Sequence, residues 1–258
     1  MTAALTQTWW LTHRQLKALV RQAGIVVITL VQPVVWLFLF GSLFRRIVEL
    51  PGFGTGSYLD YLVPGVVVMN AVSSNMWTGM GVLEDIERGI TNRFLITPVS
   101  RGAIMSASVI TAGISTALQS VIIVLLGWAA GAHYPGGVGG VTLLVITSVL
   151  LGTVFSAMSN AVGMTLRQRE TIIGLSVFLL LPLTFLSSAF MAPTLMPGWM
   201  RDAATLNPVN WALDAARGAL AANPDWAAAF GYSGLLLGLA VLMVWLATLT
   251  FRGYQKAV

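Results

Sequence analysis

Apolar residues run along this chain in long blocks, unbroken by charge. Residues 22–44, 61–83, 102–166, 171–200 and 226–251 contain no Asp, Glu, Lys or Arg. A helix crossing a hydrocarbon core of ~30 Å takes about 20 predominantly apolar residues. Four blocks therefore supply one crossing each, and residues 102–166 are long enough for two, divided by a turn at Gly131-Ala132-His133-Tyr134-Pro135-Gly136-Gly137. The pattern predicts an all-α polytopic membrane protein with six transmembrane helices, at about 24–44, 61–83, 103–127, 141–166, 171–189 and 227–251. Pro33 falls inside the first crossing and removes a helical hydrogen bond there.

Two segments do not fit the crossing pattern. Leu5, Trp9, Leu16, Leu19 and Val20 fall on one helical face and Arg14, Lys17 and Arg21 on another. Residues 1–22 are thus expected to form an amphipathic helix in the membrane interface, ahead of a transmembrane domain over 23–258. Residues 190–225 hold Pro193, Pro197, Pro208 and Pro224 with Trp199 and Trp211, and two short amphipathic stretches. They are expected to form short re-entrant helices on the outer side, their backbone groups satisfied by surrounding protein.

Composition agrees with this reading: 57% of the residues are apolar and 9% charged, against about a quarter charged in soluble domains. The formal charge of +5 follows from topology and calls for no nucleic acid. With both termini in the cytoplasm, Arg14, Lys17, Arg21, Arg88, Arg93, Arg101, Arg167, Arg169, Arg252 and Lys256 lie inside, and Arg45, Arg46, Arg201 and Arg217 outside. That bias is the positive-inside pattern of a multi-pass protein of the cytoplasmic membrane. The first apolar span starts near Ala23, so no cleavable leader is expected.

What is missing narrows the function. The two lysines, Lys17 and Lys256, follow Leu16 and Gln255, so the Gly-Lys-[Ser/Thr] of a phosphate-binding loop does not occur. Any ATP-driven work must draw on another polypeptide. With no cysteine, and with His13 and His133 at opposite faces, no metal site is expected. The crossings lack Asp and Glu, with Asp60 only at an edge, which counts against ion-coupled carriage. A secondary carrier and a non-transport membrane scaffold are the alternatives to an ATP-driven permease.

The segment after the second crossing, Glu84-Asp85-Ile86-Glu87-Arg88-Gly89-Ile90-Thr91-Asn92-Arg93-Phe94-Leu95-Ile96-Thr97-Pro98, places acids first and an apolar run last. Acids suit a helix start, and an apolar patch beside charges suits a docking surface; a solvated loop resting in the headgroups is the alternative. Together with Tyr58-Leu59-Asp60-Tyr61-Leu62-Val63-Pro64-Gly65, this loop resembles the permease subunits of ABC-2 type exporters, nearest in pattern to the daunorubicin/doxorubicin-resistance branch. The likeness continues through Phe185-Leu186-Ser187-Ser188-Ala189-Phe190-Met191-Ala192-Pro193, Met196-Pro197-Gly198-Trp199-Met200 and Asn207-Pro208-Val209-Asn210-Trp211-Ala212-Leu213-Asp214-Ala215-Ala216-Arg217-Gly218.

The resemblance implies a pair of permease chains, identical or homologous, working with two copies of a separate ATP-binding subunit that holds ATP and Mg. No cofactor is then expected in this chain, which is itself no enzyme. It also implies that the N-terminal helix and the loop 84–98 receive the ATPase's motion and that residues 190–225 close the outer side. For coupling, the candidates are Glu84, Glu87, Arg88, Arg93, Phe94 and Leu95. For the cargo pathway they are Asn70, Ser73, Ser74, Asn75, Phe178, Phe185, Ser187 and Ser188, with Gln32, Gln119, Asn160 and Thr184 as further polar positions. Helix–helix packing is the competing role for each polar one. Phe190, Met191, Met196 and Met200 are candidates for an adaptable outer gate. Asp214 and Arg217, three apart, are expected to pair on a helix surface.

Overall fold

The computed structural model describes residues 2–21, 23–46, 48, 57–88 and 101–254, and no strand occurs among them. The described helices are α1 (Thr2–Arg21), α2 (Ala23–Leu43), α3 (Tyr58–Met76), α4 (Thr78–Glu87), α5 (Arg101–Ala129) and α6 (Gly137–Leu166). They continue with α7 (Arg169–Phe185), α8 (Gly198–Thr205), α9 (Pro208–Leu220) and α10 (Trp226–Tyr254). Three spans among them, Ser106–Ala129, Gly137–Leu166 and Trp226–Thr250, are long and apolar enough to cross a bilayer, and Val27–Leu43 is a shorter apolar helix.

Helix α6 is the central post, packing on α10, α9, α3, α5 and α4. Its buried hydroxyls explain how a polar residue sits at membrane depth. Thr147 Oγ1 returns to Leu143 O at 3.0 Å and Ser148 Oγ to Leu144 O at 2.7 Å, so neither is left unpaired in an apolar surround. Helix α9 lies close against its start: a Cβ on Gly136 would stand 2.0 Å from Ala219 O. Only a glycine admits that approach, and Gly136 N donates to Leu220 O at 3.0 Å.

The predicted second crossing, 61–83, differs from what forms. The helix begins earlier, at Tyr58, where Ser57 and Asp60 make a capping box. It is interrupted at Trp77 and resumes as α4, so Glu84 and Glu87 are helical rather than part of a loop. The interruption is stitched by α6. Ser159 Oγ accepts from Gly79 N at 2.9 Å and donates to Met76 O at 2.5 Å, serving groups that a helix end leaves without partners. Asp60 Oδ1 also accepts from His133 N at 2.7 Å, which fastens the α5–α6 turn to the start of α3.

The predicted fifth crossing ends sooner than 189. Helix α7 stops at Phe185, and a bent segment leads through a 3-10 turn, Pro193–Leu195, into α8 and α9. Helices α2 and α7 are peripheral. Val27, Ile28, Val31, Val35, Phe38 and Leu39 of α2 and Ile173, Val177, Phe178 and Leu181 of α7 are exposed. Such apolar faces suit lipid or another membrane helix.

Candidate functional site

The side chains of α2, α3 and α7 enclose a cavity of about 310 Å³. It is lined by Gln32, Pro33 and Trp36 of α2, Val66, Met69, Asn70 and Ser73 of α3, Leu180, Leu181, Thr184 and Phe185 of α7, and Phe190 beyond it. No lining residue is ionisable. The walls are apolar with a few amides and hydroxyls, the usual make-up of a pocket for a small organic ligand.

An aromatic column closes one side. Trp36 and Phe40 on α2 and Phe44 just past its end stand at four-residue spacing, with successive ring centroids 4.7 Å and 5.4 Å apart. Phe190 stacks on Trp36 at 5.4 Å and on Phe40 at 5.6 Å. These distances are those of favourable aromatic pairs.

Phe190 belongs to the turn after α7, and α9 organises that turn. Asn207 caps α9 by accepting from Val209 N at 2.9 Å. Its amide nitrogen meanwhile donates to Leu183 O at 3.0 Å and Leu186 O at 2.8 Å, near the end of α7. Asn210 Oδ1 accepts from Ser188 Oγ at 2.7 Å, and Asn210 Nδ2 donates to Asp214 Oδ2 at 2.9 Å. Arg217 donates to Ser188 Oγ at 2.9 Å and to Tyr61 O at 3.2 Å. Two tyrosines on α3 hold the same turn: Tyr61 Oη donates to Ser188 O at 2.6 Å and Tyr58 Oη to Phe190 O at 3.2 Å. A Cβ on Gly65 would lie 2.1 Å from Ala189 O, so α3 can receive the turn only through a glycine.

A second charged locus lies at the far end of α3–α4. The Arg169 guanidinium, at the start of α7, binds Glu87 through two nitrogens, Nε to Oε1 at 3.3 Å and Nη2 to Oε2. That hydrogen bonding holds the Glu87 carboxyl below its ordinary range. Glu84 pairs with Arg88 one turn on, at 3.4 Å. Burial raises the Asp85 carboxyl, with Arg14 of α1 opposing the shift most. Helix α1 is also tied to α5, where Thr111 Oγ1 donates to Gln15 Oε1 at 2.7 Å. Helix α7 runs between the two loci, from Arg169 at its start to Leu180, Leu181, Thr184 and Phe185 at the cavity.

The chain matches the family model described as ABC-2 type transporter over residues 6–221. It belongs to the ABC-2 type transporter family. It is 28% identical over 257 residues to the daunorubicin resistance ABC transporter permease protein DrrB1 of Streptomyces coeruleorubidus, covering 99% of this chain and 87% of that one. It is 31% identical over 209 residues to the putative transport permease ycf38 of Porphyra purpurea, covering 80% and 70%. With the inner membrane transport permease YadH of Escherichia coli strain K12 it shares 27% over 215 residues, covering 78% and 79%. The chain is therefore a membrane transporter permease.

Within this permease the structure gathers some candidate residues and separates others. Asn70, Ser73, Phe185 and Phe190 meet at the cavity, with Gln32 and Thr184. Asn70 also donates to Gln119 at 2.8 Å, so one amide both lines the cavity and packs α3 on α5. Ser74 and Asn75 are spent elsewhere: Ser74 Oγ returns to Asn70 O at 2.7 Å, and buried Asn75 donates to Thr116 Oγ1 at 2.8 Å. Asn160 donates to Ser108 Oγ at 3.2 Å. Phe178 faces outward, 70% exposed. Ser187 and Ser188 are buried in the turn rather than open to the cavity.

Of the gate methionines, Met191 is exposed and Met196 buried. Arg93, Phe94 and Leu95, with the rest of residues 89–98 of the expected coupling loop, lie outside the described residues. Asp214 and Arg217 do not form the expected surface pair. Asp214 is engaged by Asn210, and Arg217 turns away to Ser188 and Tyr61. Helix α9 packs flat between α6, α10 and α3, so its polar stripe has protein to bind and little water.

Trp36 lines the cavity and Phe40 stacks on it, and a search for polar positions passes over both. Their signal is the four-residue spacing Trp36-x3-Phe40-x3-Phe44, which sets the three rings on one face.

Proposed function

We propose that this chain is the transmembrane permease subunit of an ATP-driven exporter that moves an uncharged amphipathic or hydrophobic compound out of the cell. The observation that carries the reading is the cavity itself. It is walled by Trp36, Phe185, Phe190, Leu180 and Met69, with Gln32, Asn70, Ser73 and Thr184 as the polar points and no charge. A polyanion would enter such a site only at a heavy desolvation cost; a drug-, polyketide- or lipid-like molecule would not.

On this reading the chain crosses the membrane six times with both termini in the cytoplasm, and α8 and α9 dip into the outer side. Two permease chains stand together and alternate between inward and outward access. A separate ATP-binding subunit, in two copies, binds ATP and Mg and drives them. It docks on α1 and on the 84–98 segment, with Glu84, Glu87, Arg88, Arg93, Phe94 and Leu95 as the contacting group. The lack of a phosphate-binding loop in this chain supports the need for that subunit.

Co-purification with an ABC ATP-binding subunit from the same cells is the direct test. A stable complex whose ATPase activity in nanodiscs rises with uncharged amphiphiles is the expected result. A chain that associates with no ATP-binding subunit, or that moves solute alone under an ion gradient, contradicts the proposal.

A further inference from the structure

Helix α9 carries two charged residues, and one of them does not behave as a surface charge. An ionic side chain in a mostly apolar surround is costly unless protein groups replace its water. Around Arg217 that replacement comes from two elements other than its own. From the turn after α7 come Ser188 Oγ at 2.9 Å and Ala189 O at 3.3 Å. From α3 come Tyr61 O at 3.2 Å and the Tyr61 ring, whose centre lies 3.7 Å from Cζ. A guanidinium can serve all of these at once because its donors form a planar fork and its face stacks on aromatic rings. A lysine ammonium offers neither.

We propose that Arg217 is the positioning residue of the cavity's outer roof. From α9 it holds the Ser188–Ala189 turn on α3, and the cavity opens outward only when the guanidinium lets go of that turn. The inference rests on the reading of the cavity as the cargo site. Phe190, which lines the cavity, is one residue beyond the clamped pair, so its position over Trp36 and Phe40 depends on where the turn is held.

Three features make this a clamp that can cycle. The guanidinium bonds Ser188, Ala189 O and Tyr61 O and stacks on the Tyr61 ring, all neutral. The Asp214 carboxylate acts on it only through space from the same helix, so letting go of the turn breaks no direct ion pair. Water or lipid headgroups reaching the outer side can replace neutral acceptors at modest cost. The Nε of Arg217 is buried with no hydrogen-bond partner, so the closed arrangement is not saturated.

The chain has no cysteine, so a single one reports on the roof. Ala189 is fully buried, and Ala189→Cys is tested for reaction with a water-soluble maleimide in the complex with the ATP-binding partner, in lipid. With Arg217 present, labelling is expected to be slow and to quicken under ATP. With Arg217→Met it is expected to be on the order of tenfold faster or more without ATP, since hydrogen bonds to a charged group are lost. It should then no longer respond to ATP, a change that loss of packing alone would not produce. Arg217→Lys, which keeps charge but not the fork, is expected to fall between.

Equal labelling rates with Arg217 and with Arg217→Met overturn the proposal. Should Arg217→Met fail to assemble, Ser188→Ala carries the test: it removes one acceptor, several-fold faster labelling is expected, and an unchanged rate overturns the clamp. Labelling that depends on Arg217 but never on ATP keeps the clamp as what holds the turn and sinks the ATP-driven reading, so the two failures are distinguishable.

Discussion

Arg169 Nε lies 3.3 Å from Glu87 Oε1, joining the start of α7 to the end of α4 across 82 residues of sequence. Both side chains are about half exposed, at 44% and 47%, and exposed pairs contribute little to stability. Its consequence under the proposed coupling is mechanical: a push on α4 would be passed to α7, whose last residues line the cavity.

Separating the pair should therefore uncouple rather than unfold. Glu87→Arg and Arg169→Glu are each expected to leave thermal unfolding unchanged while lowering transport per ATP hydrolysed several-fold. The double swap, which restores the pair in reverse, should recover most of it. The pH dependence has a definite sign. The folded Glu87 carboxyl titrates below its ordinary 4.5, so the link is fully present above that pH and is lost as pH falls through the lowered value. Coupling measured from neutral pH down to about 4.5 should stay flat on this account; a fall near pH 6 would assign the titration to another group.

Cavity residues should change cargo handling without changing the chain's assembly. Trp36→Ala opens the wall that stacks on Phe190 and is expected to raise the apparent KM for a large amphiphile about tenfold, the order of 1.4 kcal/mol in lost contact. Basal ATP hydrolysis should be retained. Asn70→Leu is expected to shift selectivity toward more apolar compounds. Dose–response curves of stimulated ATPase activity across a graded amphiphile series check both, and parallel loss for every compound would speak against a cargo site.

Asn75 is the contrasting case. Its amide bonds Thr116 and stands against Gly152, where an added Cβ would be 2.7 Å from Nδ2. Asn75→Leu should destabilise the chain by about 1–3 kcal/mol, as expected when a buried bond is broken and its partner stranded. No cargo should be affected more than another. A thermal-shift series read beside the same amphiphile panel separates this packing role from a pathway role.

Gly65 makes a prediction about shape alone. Gly65→Ala sets a methyl 2.1 Å from Ala189 O, so the turn must move; a loss of about 1–3 kcal/mol is expected from overpacking. Gly174→Ala on α7 meets nothing within 4 Å and should be neutral. Equal melting points for the two variants would contradict the close approach.

Sequence patterning is informative here wherever one physical cause decides the outcome. Long charge-free blocks have one explanation, burial in lipid, and α5, α6 and α10 follow from it directly. The Asn207-Pro208 pair is likewise readable as a helix start, and α9 begins there. Trp77 is different. The backbone breaks there because Ser159, 82 residues away, supplies partners for Met76 O and Gly79 N, and nothing local in Met76-Trp77-Thr78 announces that. The spacing of Asp214 and Arg217 suggests a pair on any exposed helix; it fails because neighbouring elements surround α9 and compete for the guanidinium. The polar residues of α3 show the same limit. Asn70 and Asn75 look alike in sequence and both bond α5, yet the turn of the helix leaves one on the cavity wall and sets the other against Gly152 of α6.

The central claim is that ATP hydrolysed by a partner moves an uncharged amphiphile through this chain. Its most direct measurement is transport of a fluorescent amphiphile in proteoliposomes holding the chain and its ATP-binding subunit, with ATP supplied on the side of α1 and α4. The account predicts ATP-dependent movement away from that side, abolished when the partner's ATP site is inactivated and weakened by Trp36→Ala. Movement that proceeds without the ATP-binding subunit, or that follows an ion gradient instead of ATP, would contradict it.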